Sequence, residues 1–273
     1  MPVAPLVCRF FRSVPPSRLT RLSLFARPDA IFAPAPDQAR VAFLYDQPFA
    51  HRGLHGLGLV ENSRAAFDAA LAAGHGFECD VQASADGIPF VFHDYDLDRL
   101  TAETGPVADQ MAAVLDHVLL TGTDEHLPRL TDILAQVAGR SPILIEIKSR
   151  DRNITAICLG VRRALEGYRG KAAIMSFNPM VLAWFAAHAP HIVRGLVVSE
   201  GDKEGLKGRW ERTLSLWRSR AEFLAYDIRD LPSSFASRAR SRGLPLLTWT
   251  VRDVGQERVA LREADQIIYE KNG

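Results

Sequence analysis

Two short acidic segments could do chemistry, because each places charged side chains two residues apart in a run that otherwise predicts a buried β-strand. Glu78 and Asp80 lie in the first segment, and Glu146 and Lys148 lie in the second. Because strand side chains alternate between faces, the members of each pair share one face. Three carboxylates on apolar strands are costly to bury alone, so the pattern predicts a cation that all three bind.

Two histidines stand at the ends of apolar segments in the same part of the sequence. His51 follows residues 48–50, and His93 follows residues 88–92. Parallel α/β folds place their functional residues at the carboxyl ends of strands. We therefore expect the histidines and the carboxylates to meet at one end of a parallel sheet.

Eight apolar runs of strand length can supply such a sheet. They are residues 48–51, 77–82, 88–93, 143–148, 172–176, 193–198, 223–227 and 245–251. Helical patterns lie between most of them, at residues 63–73, 153–165, 179–188, 233–242 and 255–264. Eight strands that alternate with helices predict an α/β fold of the (β/α)8 TIM barrel type, whose usual length is about 250 residues. The candidate residues, joined by Ser176 and Trp249, then converge on one mouth of the barrel.

Six short motifs follow one another at or near the predicted strand ends. They are His51-Arg52-Gly53, Glu61-Asn62-Ser63, Glu78-Cys79-Asp80, His93-Asp94, Leu97-Asp98-Arg99-Leu100-Thr101 and Glu146-Ile147-Lys148. In this order they resemble the motifs of the glycerophosphodiester phosphodiesterase family, from about Phe49 to the C-terminus. A single tripeptide is a weak signal, but the ordered set is specific. The resemblance implies a metal-dependent TIM barrel that hydrolyses glycerophosphodiesters to sn-glycerol 3-phosphate and an alcohol.

The resemblance also implies a role for each candidate residue. Glu78, Asp80 and Glu146 correspond to metal ligands, His51 and His93 to an acid/base pair, and Arg52 and Lys148 to phosphate contacts. Ligands that are all oxygen favour one divalent cation of the Mg²⁺ or Ca²⁺ type over zinc. Imidazole suits acid/base work because it titrates near neutral pH. Either histidine could be the base, and either water or the neighbouring glycerol hydroxyl of the substrate could attack.

Several of these residues have a structural interpretation beside the functional one. Glu146 and Lys148 could form a structural ion pair at a strand end. Trp249, which we count among the substrate contacts, could floor the substrate site or fill the barrel. Asn62 or Ser63 is predicted to cap the helix that follows.

Two alternative functions and one alternative structural interpretation are compatible with the same residues. A lysophospholipase D activity on single-chain lipids would require an apolar channel beside the metal. A non-catalytic barrel that binds a metal or phosphate would need no acid/base pair, so the two histidines count against it. In the third alternative the carboxylates hold no metal and pair with Arg52 and Lys148. Val60 stands where the family commonly has proline, and residues 264–270 lack a common threonine-aspartate ending, which leaves the preferred alcohol open.

The composition is that of one ordinary globular enzyme domain. The chain has 273 residues, of which 47% are hydrophobic and 24% charged, and its net charge of +1 gives no reason to expect nucleic-acid binding. Three scattered cysteines, Cys8, Cys79 and Cys158, argue against a disulfide framework and favour a reducing, cytoplasmic location. No apolar stretch approaches the length that spans a bilayer.

Residues 1–40 differ in character from the rest of the chain. They hold seven of the 16 prolines and six arginines, and Asp29 and Asp37 are their only acids. This composition predicts an irregular basic arm that precedes a barrel domain at residues 41–273. The arm could touch an anionic membrane, but a leader packed on the base of the barrel or an upstream start codon is the favoured explanation.

A second unusual stretch, residues 200–222, carries Trp210, Trp217 and many basic residues. We predict a solvated amphipathic helix in the outer ring there. Contact with an anionic substrate or a membrane is the alternative.

Overall fold

Parallel strands form a closed ring in the computed structural model, which describes residues 34–56, 58–149, 153–201 and 205–271. The strands are β1 (Phe49–Ala50), β2 (Gly76–Ala83), β3 (Pro89–Val91), β4 (Ile143–Ile147), β5 (Ala172–Ser176), β6 (Val193–Val198), β7 (Phe223–Asp227), β8 (Leu246–Val251) and β9 (Gln266–Tyr269). All except β3 pair in parallel, and β1 closes the ring by pairing with both β2 and β9. The predicted (β/α)8 barrel is confirmed.

One of the eight predicted barrel strands is wrong. Residues 88–93 do not enter the ring, because β3 runs antiparallel to β2 and pairs Val91 with Val81. Only residues 84–88 separate these two strands, whereas a parallel return needs a crossover of about a dozen residues or more. The eighth barrel strand is β9, which the apolar pattern did not reveal.

The described helices lie around the ring, and most of them cover its outside. They are α1 (Gln38–Val41), α2 (Arg64–Ala72), α3 (Ala112–Leu115), α4 (Leu130–Val137), α5 (Thr155–Ala164), α6 (Pro179–His188), α7 (Gly205–Ser219), α8 (Ser234–Ser241) and α9 (Val254–Glu263). Ser63 caps α2, since its Oγ accepts a hydrogen bond from the backbone N–H of Ala66 at 3.1 Å. The larger apolar core lies between helices and strands, where Phe67 of α2 stacks on Phe77 of β2 with ring centroids 4.4 Å apart.

A second apolar cluster fills the inside of the ring. Phe223 occupies part of this space because Gly195, on the neighbouring strand, has no side chain. A Cβ at Gly195 would lie only 2.1 Å from the ring of Phe223. Val41, Phe43 and Leu44, which precede β1, join the same cluster. The interior is therefore solid, and charged side chains gather at the carboxyl ends of the strands.

Residues 1–33 lie outside the described part of the chain, and most of the predicted arm lies there with them. The last residues of the predicted arm contact the barrel. The Gln38 amide donates to the Gly243 carbonyl at 3.0 Å, and Arg40 pairs with Glu222 at 3.2 Å. The boundary at residue 40 stays a prediction. Among the described helices, none combines the length and the apolar character needed to cross a membrane.

Candidate active site

The three predicted ligand carboxylates meet at the carboxyl end of the barrel. Asp80 of β2 pairs in register with Glu146 of β4, and alternation puts Glu78 on the same inward face. One oxygen of each carboxylate lies within 4.8 Å of those of the other two, and all three residues are buried. Strand pairing therefore brings the predicted trio together.

Two cationic side chains contact this trio in the described part of the chain, so there is one fewer positive group than there are carboxylates. Lys148 Nζ lies 2.5 Å from Glu146 Oε1 and 2.9 Å from Asp80 Oδ1, and Arg52 Nε lies 3.1 Å from Asp80 Oδ2. Glu78 Oε1 is buried and has no hydrogen-bond partner among the described residues. A set of carboxylate oxygens with one buried oxygen unsatisfied fits a hard divalent cation.

Burial and mutual repulsion set the electrostatics of the trio. Burial, with the neighbouring Asp80 and Glu146 carboxylates, raises the pKa of Glu78 well above its usual range. Burial is also the main cause of the raised pKa of Glu146. Burial opposes the charged form of Asp80 too, but Lys148 and Arg52 outweigh it and hold the pKa of Asp80 below its usual range. The same contacts with Asp80 and Glu146 overcome burial and raise the pKa of Lys148.

A tight turn after β1 places Arg52 in the wall of the site. Arg52 and Gly53 have φ angles of 53° and 79°, and a Cβ at Gly53 would lie 2.8 Å from the backbone of Ala66. In this conformation the Arg52 backbone N–H donates to Glu78 Oε2 at 3.0 Å, and its guanidinium donates to Glu61 Oε1 at 2.8 Å. The turn requires glycine at position 53 because its φ and the space both exclude a side chain.

Asn62 orients Asp80 and does not cap a helix. Its Nδ2 donates to Asp80 Oδ2 at 3.0 Å, and its Oδ1 accepts from the Asp80 backbone N–H at 3.2 Å. Asn62 is buried and has a left-handed backbone with φ of 58°. The sequence offered one signal for this role, which was its place inside the Glu61-Asn62-Ser63 motif.

His51 contacts a carboxylate that the sequence analysis did not assign to the site. Nδ1 of His51 lies 3.5 Å from Glu270 Oε2, and its Nε2 lies 4.0 Å from Glu78 Oε2. Burial lowers the pKa of His51, with Glu270 opposing that shift. The contact with His51 is the main cause that lowers the pKa of Glu270 to about 2. Glu270 was missed because it follows β9, the unrecognised strand.

Glu270 has two further neighbours. Arg252 NH2 lies 2.8 Å from its Oε2, and His55 Nε2 lies 3.9 Å from its Oε1. Single atoms of His51, His55 and Glu270 also fall within 4.8 Å of one another. Because Arg252 already balances the charge of this carboxylate, the trio of Glu78, Asp80 and Glu146 is the better cation site.

His93 follows β3, next to Phe92, whose backbone N–H donates to the Asp80 carbonyl at 2.9 Å. The Gln82 amide donates to the backbone carbonyls of His93 and Asp94 at 3.0 Å each. Asp94 Oδ1 lies 2.6 Å from Nδ1 of His93 and is itself held by Arg99, whose NH2 donates at 3.0 Å. The Arg99 hydrogen bond is the main cause that lowers the pKa of Asp94 to about 2. Arg99 also donates to Glu61 at 2.7 Å, so the segment that follows β3 is tied to the wall that holds Arg52.

The opposite wall of the mouth is aromatic. Trp249 packs partly on the interior cluster, and its Nε1 donates to the Ala225 carbonyl at 3.0 Å. Phe177 meets the Trp249 ring edge to face with centroids 5.6 Å apart. Beside them Asp227 is buried and pairs with Arg229 at 2.6 Å. These contacts place Trp249 on top of the apolar interior, as the structural interpretation predicts.

The Ser176 side chain forms hydrogen bonds with backbone groups. Its hydroxyl donates to the Ile147 carbonyl at 2.7 Å and accepts from the Asn178 N–H at 3.1 Å. Ile147 ends β4 and Asn178 precedes α6, so Ser176 connects the ends of two neighbouring elements. The described contacts therefore give this side chain a structural role.

Comparisons with known proteins agree with the ordered motifs. The model of the glycerophosphoryl diester phosphodiesterase family matches residues 51–270. The chain is 30% identical over 230 residues to a glycerophosphodiester phosphodiesterase of Caldanaerobacter subterraneus subsp. tengcongensis, a match that covers 80% of this chain and 91% of that one. It is 34% identical over 155 residues to a glycerophosphodiester phosphodiesterase of Bacillus altitudinis, covering 53% of this chain. That match spans 63% of the relative's length, which is less than two thirds.

Solved structures share the fold. A phosphodiesterase of Oleispira antarctica in complex with the product sn-glycerol-3-phosphate superposes with a TM-score of 0.73 and 23% identity, covering 83% of this chain and 93% of that one. At this identity the likeness concerns the fold alone. The family model covers most of the chain and includes every predicted site residue from His51 to Trp249. The chain therefore belongs to the glycerophosphoryl diester phosphodiesterase family.

Proposed function

We propose that this chain is a metal-dependent phosphodiesterase that hydrolyses glycerophosphodiesters to sn-glycerol 3-phosphate and an alcohol. The observation that carries the proposal is the buried trio of Glu78, Asp80 and Glu146, whose Glu78 Oε1 has no described partner. The trio lies beside His51 and near the segment after β3 that carries His93. Relatives named as glycerophosphodiester phosphodiesterases, and a neighbour that holds sn-glycerol-3-phosphate, support the same reaction.

Glu78, Asp80 and Glu146 would hold one divalent cation, of the Mg²⁺ or Ca²⁺ type. The chemistry that a bound cation supplies in such a site is neutralisation of the nonbridging phosphate oxygens and polarisation of the phosphorus. Arg52 adds a planar set of donors that matches phosphate, and Lys148 adds a compact charge. Their contacts with Asp80 hold both cationic groups at the edge of the trio.

The surroundings of the two histidines support an acid/base role, although the carboxylate lies closer to His93, at 2.6 Å, than to His51, at 3.5 Å. Each has a carboxylate at Nδ1, Glu270 for His51 and Asp94 for His93. A carboxylate at Nδ1 keeps a proton there and leaves Nε2 for the reacting groups. One histidine would take the proton of the attacking hydroxyl, and the other would protonate the departing alkoxide.

Trp249 would form the floor under the organic part of the substrate. Its ring faces the mouth between Phe177 and the apolar interior, and its own N–H already donates to a backbone carbonyl. A fixed aromatic surface suits the carbon atoms of glycerol or of a small alcohol.

The test is release of glycerol 3-phosphate from glycerophosphocholine and glycerophosphoethanolamine, before and after EDTA, with Mg²⁺, Ca²⁺ or Mn²⁺ added back. We expect activity that chelation removes and one of these ions restores. Turnover that persists in EDTA would contradict the metal requirement. Release of choline from lysophosphatidylcholine, without turnover of the soluble diesters, would favour the lysophospholipase D alternative.

Two variants separate binding from turnover in this assay. His51→Ala should remove turnover while calorimetry still detects metal binding. Glu146→Gln should weaken metal binding as well as turnover. A His51→Ala enzyme with full activity would overturn the role of this histidine, and complete inactivity of the wild type on every diester would favour a binding protein.

A further inference from the structure

The outer surface of α7 carries a stripe of large apolar side chains. Leu206 and Trp210 are each 74% exposed, Leu214 is 52% exposed and Trp217 is 49% exposed. At about 100° per residue these four positions fall within a sector of roughly 80° on the helix. The helix residues that pack on the barrel lie on the opposite side. They are Gly208, Arg212, Leu216 and Ser219.

The polarity of α7 is reversed relative to an ordinary surface helix, which turns its apolar stripe to the core. On the barrel side, the buried Arg212 pairs with Glu200 at 3.0 Å and lies over the ring of Phe235, 5.9 Å from its centroid. On the solvent side, Leu206 and Trp210 are the most exposed of the large apolar residues that the structure describes. An exposed stripe of this kind marks an interaction surface.

Basic residues border the stripe on both edges. Arg209 lies along one edge, and Lys207 and Arg218 lie along the other, all of them exposed. Glu211 is the single acidic residue within the helix, and Arg220 follows directly after its end. An apolar stripe with tryptophan, flanked by cations, is the pattern of a helix that lies in the interface of an anionic lipid bilayer.

We infer that α7 docks this protein on an anionic phospholipid surface. Tryptophan favours the lipid–water boundary because its ring is apolar and its N–H is polar. Charge argues against two other occupants of this face, which are a second copy of this chain and the basic residues 1–33. A second copy would bring the basic edges of two α7 helices together. Residues 1–33 are also basic, with five arginines against Asp29.

The position of α7 gives the docked protein an orientation. The helix follows β6, so its first turns lie at the end of the barrel that holds the carboxylate trio. Phe177 and Met180, which follow β5, are 48% and 38% exposed at the same end. Docking through Leu206 and Trp210 would therefore bring the mouth close to the lipid headgroups. The inference does not depend on the reaction proposed above.

The experiment measures binding of the full chain to vesicles by sedimentation. Vesicles of phosphatidylcholine alone are compared with vesicles that also contain an equal part of phosphatidylglycerol, at low and high salt. We expect binding to the anionic vesicles only, weakened by salt, with a blue shift of tryptophan fluorescence. Leu206→Ser combined with Trp210→Ser should weaken partitioning at least about tenfold.

A matched control and a charge variant complete the test. Leu261→Ser removes a side chain that is 47% exposed on α9 and should leave binding unchanged. Lys207→Glu with Arg218→Glu should abolish the preference for anionic vesicles. Absence of wild-type binding, or equal binding by the Leu206/Trp210 variant, would overturn the inference. A wild-type dimer that this variant converts to a monomer, without vesicle binding, would assign the stripe to self-association.

Discussion

The carboxylate of Glu270 lies 3.5 Å from Nδ1 of His51. Glu270 is fixed by Arg252, whose NH2 and Nε lie 2.8 and 3.0 Å from the same oxygen. We expect Glu270 to act as a positioning residue that keeps the proton of His51 on Nδ1. In this arrangement Nε2 of His51 faces the carboxylate trio.

Glu270→Gln should lower kcat at least about tenfold and change KM by less than about twofold. Glutamine keeps the shape, but its amide can donate to Nδ1 and stabilise the wrong tautomer. Glu270→Asp should recover part of the loss. The control is Glu166→Gln on the exposed surface, which should behave as wild type. A rise in KM with kcat unchanged would show that Glu270 supports binding instead.

Glu78→Gln should separate the effect of the carboxylate trio on stability from its role in binding a metal ion. Because burial and two neighbouring carboxylates oppose ionisation of Glu78, the metal-free variant should be at least as stable as the wild type, with an equal or higher Tm. The rise in Tm that Mg²⁺ or Ca²⁺ gives the wild type should largely disappear. Thermal scans with EDTA and with each ion measure both effects. An unchanged metal-induced shift would remove Glu78 from the ligand set.

Asn62 should contribute to stability through its two hydrogen bonds with Asp80. Asn62→Ala removes both bonds and leaves an alanine, which has no polar side chain to stabilise it, in the left-handed backbone at φ 58°. We expect the free energy of unfolding to fall by about 2–3 kcal/mol. Asn62→Gly removes the same bonds but tolerates the positive φ, so we expect a smaller loss from it in spite of the greater freedom of glycine in the unfolded chain. Equal losses in urea titrations would indicate that backbone strain is not involved.

Asp94 should make stability depend on pH in acid. Its pKa is lowered to about 2 in the fold, chiefly by Arg99, against about 3.9 in an unfolded chain. The charged form is therefore favoured by folding, so the stabilisation is present above about pH 4 and is lost as the pH falls towards 2. Asp94→Asn should be less stable than the wild type by at most about 1 kcal/mol at neutral pH, since the pair is partly exposed. The two unfolding curves should converge near pH 2, and a constant gap would contradict this origin.

Local alternation made much of the site predictable. Glu78 with Asp80, and Glu146 with Lys148, share faces because strand geometry repeats every second residue, whatever the rest of the fold does. Their meeting then required only that β2 and β4 be neighbours. His51 was predictable for a similar reason, because it follows a barrel strand directly.

Pairing direction was harder to predict than strand position. The run at residues 88–93 looks like a barrel strand because apolar content does not distinguish parallel from antiparallel pairing. The short connection through Asp86 and Gly87 carried the missing information, since such a turn favours a hairpin. The strand β9 spans only Gln266–Tyr269, so its two adjacent isoleucines, Ile267 and Ile268, were a weak signal.

Contacts between distant residues were not predictable from local pattern. Glu270 meets His51 only because the ring closes, and Asn62 meets Asp80 only because the segment before α2 folds back over β2. Neither contact leaves a periodic trace in the sequence. Both follow from the three-dimensional arrangement of the loops at the mouth.

Ring closure also has a kinetic consequence. Pairing of β1 with β9 joins the first and last strands of the barrel, so it pays a larger loop-closure entropy than the pairing of neighbouring strands. Until that step is complete, two strand edges are open to other chains. Because His51 and Glu270 flank this seam, their contact should form with closure, and recovery of activity during refolding should report the last step of barrel assembly.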